Sequence, residues 1–206
     1  MTSTSSTRST RMPRSERRAQ LLDAAQAVFV QSGYHAAAMD EIADRAGVSK
    51  PVLYQHFPGK LDLYLALLDT HCDTLEQLVR QALETGAGDN EVRVDATVAA
   101  YFDFVTREDA AFRMVFESDL TSVPQVRARL DAVQMACAEA IAEVIAEDTG
   151  VDDERALLLG SALAGMAQVA ARHWLAQDSE VTETEAARLI SGLAWRGLGS
   201  FPLVGG

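Results

Sequence analysis

The chain has 206 residues, of which 48% are hydrophobic, so it can bury the core of one large domain or of a small domain joined to a larger one. Its net charge of −12 argues against a general nucleic-acid coat, although residues 1–60 carry eight Lys or Arg against only five Asp or Glu. No cysteine has a CxxC or histidine partner at ligand spacing, so we expect reduced thiols and no metal site. No uncharged run reaches the roughly twenty residues of a membrane span, so we expect a cytoplasmic protein without a membrane segment.

The sequence of the N-terminal quarter of the chain predicts three helices, of which the second and third are short. One covers residues 15–32 and ends before Gly33, a second covers 40–46, and a third begins at Lys50 behind Ser49 as its N-cap. Two helices joined by a tight glycine-containing turn, the second of them short, are typical of a helix-turn-helix whose second helix lies in a DNA major groove.

Six further helices are predicted after this motif, so the fold class is all-α with about nine helices in total. They are expected over residues 60–84, 91–106, 110–118, 124–147, 152–177 and 182–200. We therefore expect three regions: a disordered basic arm over residues 1–13, a helix-turn-helix DNA-binding domain over residues 14–59, and a larger helical domain for ligand binding and dimerisation over residues 60–206.

The third helix has an inner and an outer side. Leu53 and Phe57 are four residues apart and are expected to pack inward. On the outer side, Gln55 can pair with an adenine edge and Val52 can contact a thymine methyl group, while longer polar side chains reach phosphates. The predicted DNA-contacting residues are Lys50, Pro51, Val52, Tyr54, Gln55, His56 and Lys60.

The segment GYHAAAMDEIADRAGVSKPVLYQHFPGKLDLYLALL, residues 33–68, resembles the DNA-binding region of the TetR family of one-component regulators. In that family an IA-x-x-AGVS-x-x-x-LY-x-HF-x-x-K pattern spans helices two to four. The resemblance implies a regulator whose effector binds between the helices of the C-terminal domain. One stretch departs from the pattern, because residues 36–38 are alanines where family members often have a Thr or Ser that touches a phosphate.

Shorter segments extend the resemblance over the whole chain. The sequences FDFV, FRMVFESDL, RHWL and LAWRGLGSFPL are similar to those of actinobacterial regulators of fatty-acid synthesis within the same family. This similarity implies a homodimer that binds a palindromic DNA operator, senses a long-chain acyl-CoA as its effector and controls fatty-acid synthase genes.

An aromatic cluster marks the expected effector site. Four of the seven phenylalanines lie between Phe102 and Phe116, and an ordinary core is the simpler explanation for any single one of them. For the set, the family resemblance implies a cavity with apolar walls that suit an acyl chain. The candidate ligand-binding residues are Val98, Tyr101, Phe102, Val105, Phe112, Val115, Phe116, Met135, Met166 and Val169.

The last two predicted helices are apolar over more of their surface than a single buried side would require. A helix that is apolar nearly all round, as over residues 152–177, must be covered on every side. Other helices of the same chain could cover it, but the family resemblance implies a dimer bundle. The candidate dimer residues are Leu163, His173, Trp174, Leu189, Leu193 and Gly197.

Two other functions remain to be compared with this one. An enzyme such as an acyl-CoA hydrolase would also bind apolar chains, but the sequence has no nucleophile elbow, phosphate-binding glycine loop or HExxH pair, so we expect no enzyme and no cofactor beyond the effector. A TetR-like repressor of an efflux or catabolic gene, responding to another lipophilic molecule, stays open as an alternative.

Overall fold

The computed structural model describes residues 12–85, 88–107, 120–177 and 180–197, and within these ranges the regular structure is entirely α-helical. This confirms the all-α prediction. The helices are α1 Arg14–Ala36, α2 Met39–Arg45, α3 Lys50–His56, α4 Lys60–Glu84, α5 Asn90–Arg107, α6 Pro124–Thr149, α7 Asp153–Ala176 and α8 Glu183–Arg196. The helix predicted over residues 110–118 lies outside the described residues.

The last helix is shorter than predicted. It ends at Arg196 rather than at residue 200, because Gly197 has a φ of 73°, a conformation that only glycine adopts readily. Gly33 acts in the same way near the end of α1, where its φ of 71° interrupts the helical backbone at the predicted position.

The chain divides into two compact units, one ending at Leu67 and the other beginning at Leu68. In the first unit, α1, α2, α3 and the start of α4 enclose a small core. Gly47, with a φ of 64°, makes the turn between α2 and α3. The side chains at the centre of this core are almost fully shielded from solvent, and they are Leu21, Val28, Ile42, Leu53, Phe57 and Leu63.

The second unit is a helical bundle. Its α6 and α7 form a hairpin, joined by a short loop in which Gly150 adopts the left-handed conformation and Asp152 caps α7 by accepting a hydrogen bond from the Arg155 backbone N–H. Helix α5 packs against α7 and α8. Among the described helices, none combines the length and apolar character needed to cross a bilayer.

Candidate DNA-binding surface and effector cavity

Helix α3 buries the side predicted from its sequence. Leu53 is fully buried and Phe57 is 2% exposed, which confirms that both pack inward. The opposite side carries the predicted DNA-contacting side chains. Lys50, Pro51, Tyr54 and Gln55 are exposed there, and Val52 and His56 are half-buried.

The start of α1 lies beside α3 and adds positive charge to this surface. A hollow of about 830 Å³ is lined by Arg14 and Arg17 on one side and by Val52, Gln55 and His56 on the other. Sequence reasoning did not place these arginines next to α3, because about forty residues separate them along the chain. The excess of arginine at the start of α1 is the sequence signal that could have identified them.

Two contacts hold α1 in this position. The Arg18 guanidinium lies 4.4 Å from the centre of the Phe57 ring, and the Gln20 side-chain amide donates a 3.0 Å hydrogen bond to the Ala46 carbonyl. The pKa of His56 is lowered, mainly because the ring is partly desolvated and further because the arginines at the start of α1 are close. His56 is therefore a weaker base in the free protein than an isolated histidine.

Lys50 and Lys60 were both predicted to reach phosphates, but their ammonium groups have different partners in the structure. The Lys50 ammonium donates to Asp40 Oδ2 at 2.5 Å, and this partner raises its pKa. Both side chains of the pair are more than half exposed, and exposed pairs of this kind are weak, so Lys50 is free to exchange Asp40 for a phosphate.

Lys60 has a different position from the one predicted. Its ammonium donates hydrogen bonds to the carbonyl oxygens of Tyr34, His35 and Ala37 at 2.7, 3.1 and 2.8 Å, and it lies 4.6 Å from the centre of the Tyr34 ring. Three acceptors use all three hydrogens of the ammonium group. As placed here, Lys60 closes the end of α1 instead of offering a free charge to DNA.

The start of α2 also bears on DNA contact. Its N-cap is Ala38, which has no side-chain hydrogen bond to the helix. The alanines of this stretch therefore provide no hydroxyl group at the position where the family pattern often has one.

The second unit contains a cavity of about 400 Å³ among α5, α6, α7 and α8, with Leu83 of α4 at its edge. Its walls are largely aliphatic. The branched apolar side chains that line it are Val94, Val98, Ile141, Val144, Ile145, Leu159 and Leu163. The volume lies within the range of small-molecule sites.

Polar residues also line this cavity, on α5 and near the end of α6. The Arg93 guanidinium donates through Nη1 to Asp148 and, at 3.1 Å, to the Asn90 side-chain oxygen. Thr97 lies one turn after Arg93 on the same helix. None of these polar residues was predicted, because charged and hydroxyl side chains in a helix carry no sequence signal for a cavity.

The predicted ligand-binding residues fall in several places. Val98 lines the cavity. Phe102 and Val105 belong to the buried core, and so does Tyr101, whose hydroxyl group shares a hydrogen bond with the thiol of Cys137. Burial raises the pKa of that thiol to about 11, which makes it unreactive.

Three further members of that set, all of them described, do not line the cavity. Met135 and Val169 are 47% and 56% exposed, because each lies on the outer side of its helix, and Met166 is half-buried. The other three, Phe112, Val115 and Phe116, lie outside the described residues.

The predicted dimer residues also lie in different environments, some inside the second unit and some at its surface. Leu163 lines the cavity, and Trp174 packs against Phe102 while its indole N–H donates to the Val181 carbonyl at 2.8 Å. His173 and Leu189 are exposed, and Leu193 and Gly197 are half-buried. Sequence reasoning missed other exposed apolar side chains on α7 and α8, namely Leu158, Leu159 and Trp195.

Two protein families match the N-terminal and the C-terminal parts of the chain. The family described as "Bacterial regulatory proteins, tetR family" matches residues 21–67, and the one described as "MftR C-terminal domain" matches residues 93–194. The HTH-type transcriptional activator FasR of Mycolicibacterium smegmatis is 47% identical over 196 residues, which cover 95% of this chain and 89% of that protein.

Solved structures share the fold. A TetR-like transcriptional regulator from Rhodococcus sp. RHA1 superposes with a TM-score of 0.70 at 26% identity, covering 93% of this chain and all of the other. FadR from Bacillus subtilis, solved with stearoyl-CoA, superposes with a TM-score of 0.69 over 87% of this chain and 98% of its own. At 17% identity, the FadR likeness shows a common fold alone.

Proposed function

The chain belongs to the TetR family of bacterial transcriptional regulators, and from this we propose that it binds a palindromic operator as a homodimer and responds to a long-chain acyl-CoA. The family and the relatives are transcriptional regulators, not enzymes. We assign DNA recognition to residues 14–59, and effector binding and dimerisation to residues 60–206. Operator binding would place the protein in the bacterial cytoplasm.

The exposed side of α3 carries the DNA-binding proposal. Tyr54 and Gln55 are exposed on a helix held by a buried Leu53, and the arginines of α1 lie along the same surface. A rigid helix with polar side chains pointing outward and cations beside it suits base reading together with phosphate contact. We test it by a gel-shift titration on the operator, in which Gln55→Ala should cost about 1–3 kcal/mol and relax one base preference.

The cavity in the second unit supports the effector proposal. Its aliphatic walls suit an acyl chain. The whole-chain similarity to FasR suggests that the controlled genes are those of fatty-acid synthesis. The complex of Bacillus subtilis FadR with stearoyl-CoA indicates that a protein of this fold can hold such a ligand.

Acyl-CoAs of increasing chain length provide the test of the effector. Each buried CH₂ adds about 0.8 kcal/mol, so affinity measured by calorimetry should rise steeply with length until the cavity is full. Binding of unrelated lipophiles without such a length dependence would instead favour the alternative, a repressor of an efflux or catabolic gene.

The exposed apolar side chains of α7 and α8 support the dimer. Several large apolar side chains lie exposed on these two helices, and a second copy of the chain would shield them from water. The exposed residues that would meet a second copy are Leu158, Leu159, Val169, Leu189 and Trp195.

A further inference from the structure

We propose that the cavity in the second unit binds an uncharged acyl carbonyl, held by the Thr97 hydroxyl and the Arg93 Nε–H. The inference rests on the proposed effector role of this cavity and adds the chemistry of the group recognised at its polar side. It also identifies the two residues that read this group.

Thr97 carries a buried hydroxyl group that no other described residue satisfies. Its residue is 7% exposed, it lines the cavity, and its Oγ1 has no hydrogen-bond partner among the described residues. A threonine within a helix usually bonds back to a carbonyl one turn earlier, as Thr106 on the same helix does with Phe102 at 3.1 Å. Thr97 lacks this bond, so its buried hydroxyl group still needs a hydrogen-bond partner.

Arg93 supplies a second unpaired donor on the same side of α5. It precedes Thr97 by four residues, so the two side chains are neighbours on the helix surface. Its Nη1 is engaged by Asp148 and Asn90, whereas its Nε is buried and has no partner within the described part of the chain. Buried donors without acceptors are costly, and two of them on residues that line one cavity point to an acceptor supplied by a bound molecule.

The local charge selects the kind of acceptor. Arg93 and Asp148 already neutralise each other as an ion pair. A carboxylate would bring an unbalanced negative charge close to Asp148 in an apolar cavity, which is unfavourable. An acyl carbonyl brings no charge, and its oxygen has two lone pairs that match two donors. Val94 and Val98, beside these residues on α5, continue the site as an apolar wall for the attached chain.

A pair of ligands that differ only in the carbonyl group tests this inference. Palmitoyl-CoA and S-hexadecyl-CoA have the same chain and the same nucleotide, but the thioether has a CH₂ in place of the C=O. We expect the wild-type protein to bind the thioester at least about ten-fold more tightly by calorimetry, because the thioether loses both hydrogen bonds. Equal affinities would overturn the proposal.

Substitutions then assign the effect to the two residues. Thr97→Val, which keeps the side-chain shape, should reduce the preference for the thioester by about three- to ten-fold, while the melting temperature stays the same or rises because a buried unpaired hydroxyl group is removed. Arg93→Lys keeps the charge that faces Asp148 but loses Nε–H, and should reduce the preference similarly. Thr106→Val, whose hydroxyl group is already satisfied, is the matched control and should leave the preference unchanged.

Methyl palmitate and palmitate identify the source of the carbonyl. If Thr97→Val weakens binding of both methyl palmitate and palmitoyl-CoA, any acyl ester is recognised; if only palmitoyl-CoA responds, the thioester is. Either result supports the proposal, and tighter binding of palmitate than of its methyl ester would overturn it.

Failure of this inference can be told apart from failure of the effector proposal. If no acyl compound binds a protein that still shifts its operator, both fail together. If acyl-CoA binds and Thr97→Val changes nothing, the inference alone fails.

Discussion

The two lysines that flank α3 differ in what surrounds their ammonium groups. Lys60 is tied to three backbone carbonyls at the end of α1, whereas Lys50 has a single exposed carboxylate partner. Carbonyls at a helix end have no donors of their own, so a cation placed there has a structural role. The two side chains therefore offer a matched pair for separating stability from DNA affinity.

We expect Lys60→Met to lower the free energy of unfolding by about 2–3 kcal/mol, because it removes charge-assisted hydrogen bonds and leaves carbonyls unpaired. The slope of log affinity against log salt on the operator should stay the same. Lys50→Met should leave the denaturation midpoint unchanged and reduce that slope by about one, the effect of losing one phosphate contact. Urea denaturation and a salt titration measure both quantities, and the reverse pattern would restore Lys60 as the phosphate ligand.

We expect His56 to make the proposed DNA-binding surface sensitive to pH. Its pKa is lowered by desolvation and by Arg14, Arg18 and Arg17, so the folded chain binds this proton less readily than the unfolded chain does. The free energy of unfolding should therefore fall as pH drops below the ordinary histidine pKa of about 6.5, since protonation then favours the unfolded chain. Phosphates on bound DNA act in the opposite direction by favouring the charged ring.

It follows that operator affinity should increase as pH falls from about 7.5 to 6, near the histidine pKa. Fluorescence anisotropy of a labelled operator measures the change. His56→Gln, which keeps a polar side chain but does not titrate, should flatten the profile. An identical pH profile in wild type and His56→Gln would show that this ring does not meet phosphate.

At the scale of elements, the hairpin of α6 and α7 depends on a close approach between the two helices. A Cβ built at Gly160 would lie 2.3 Å from the Ala138 carbonyl oxygen and 3.0 Å from the Ala142 backbone nitrogen. Both atoms belong to the backbone of α6, which cannot move as a flexible side chain does. Glycine at this position therefore sets how near the two helices lie.

We expect Gly160→Ala to lower the free energy of unfolding by about 1–3 kcal/mol or more, because the helices must separate to admit the methyl group. Gly165→Ala on the same helix is the control. A Cβ there meets nothing within 4 Å, so alanine should gain up to about 1 kcal/mol from helix propensity. Chemical denaturation distinguishes the two variants, and an unchanged midpoint for Gly160→Ala would contradict the close packing.

At the scale of the whole molecule, the proposed dimer would bring two DNA-binding surfaces, one from each copy, to a single operator. Val169→Glu places a charge on the exposed apolar surface of α7 and should yield monomers by analytical ultracentrifugation. Operator affinity should then fall by about 10²–10⁴, because the second half-site is no longer bound within the same complex. A dimer that survived the substitution would place the interface elsewhere.

Met135→Glu is the matched control for that experiment. Met135 is similarly exposed, but it lies on α6 rather than on α7 or α8. The same change of an apolar side chain to a carboxylate should leave both the association state and the operator affinity as in the wild type. A monomer produced by Met135→Glu would indicate that α6 takes part in the interface.

The sequence by itself determined the helical class, the bounds of most helices, and the inner and outer sides of α3. These features depend on residues close together in the chain: the apolar period of a helix, the capping residues, and glycines such as Gly33 that interrupt the backbone. Leu53 and Phe57 could be assigned to the core because four-residue spacing places them on one side of any helix.

Only the tertiary structure decided what surrounds each polar group. Lys60 was predicted to contact DNA because its position in the chain follows α3, but its ammonium group lies among carbonyls some twenty-five residues earlier. The arginines beside His56, and the cavity that Arg93 and Thr97 line, likewise depend on segments far apart in sequence. Periodicity shows which side of a helix is buried, but the partners met there follow from how the helices pack together.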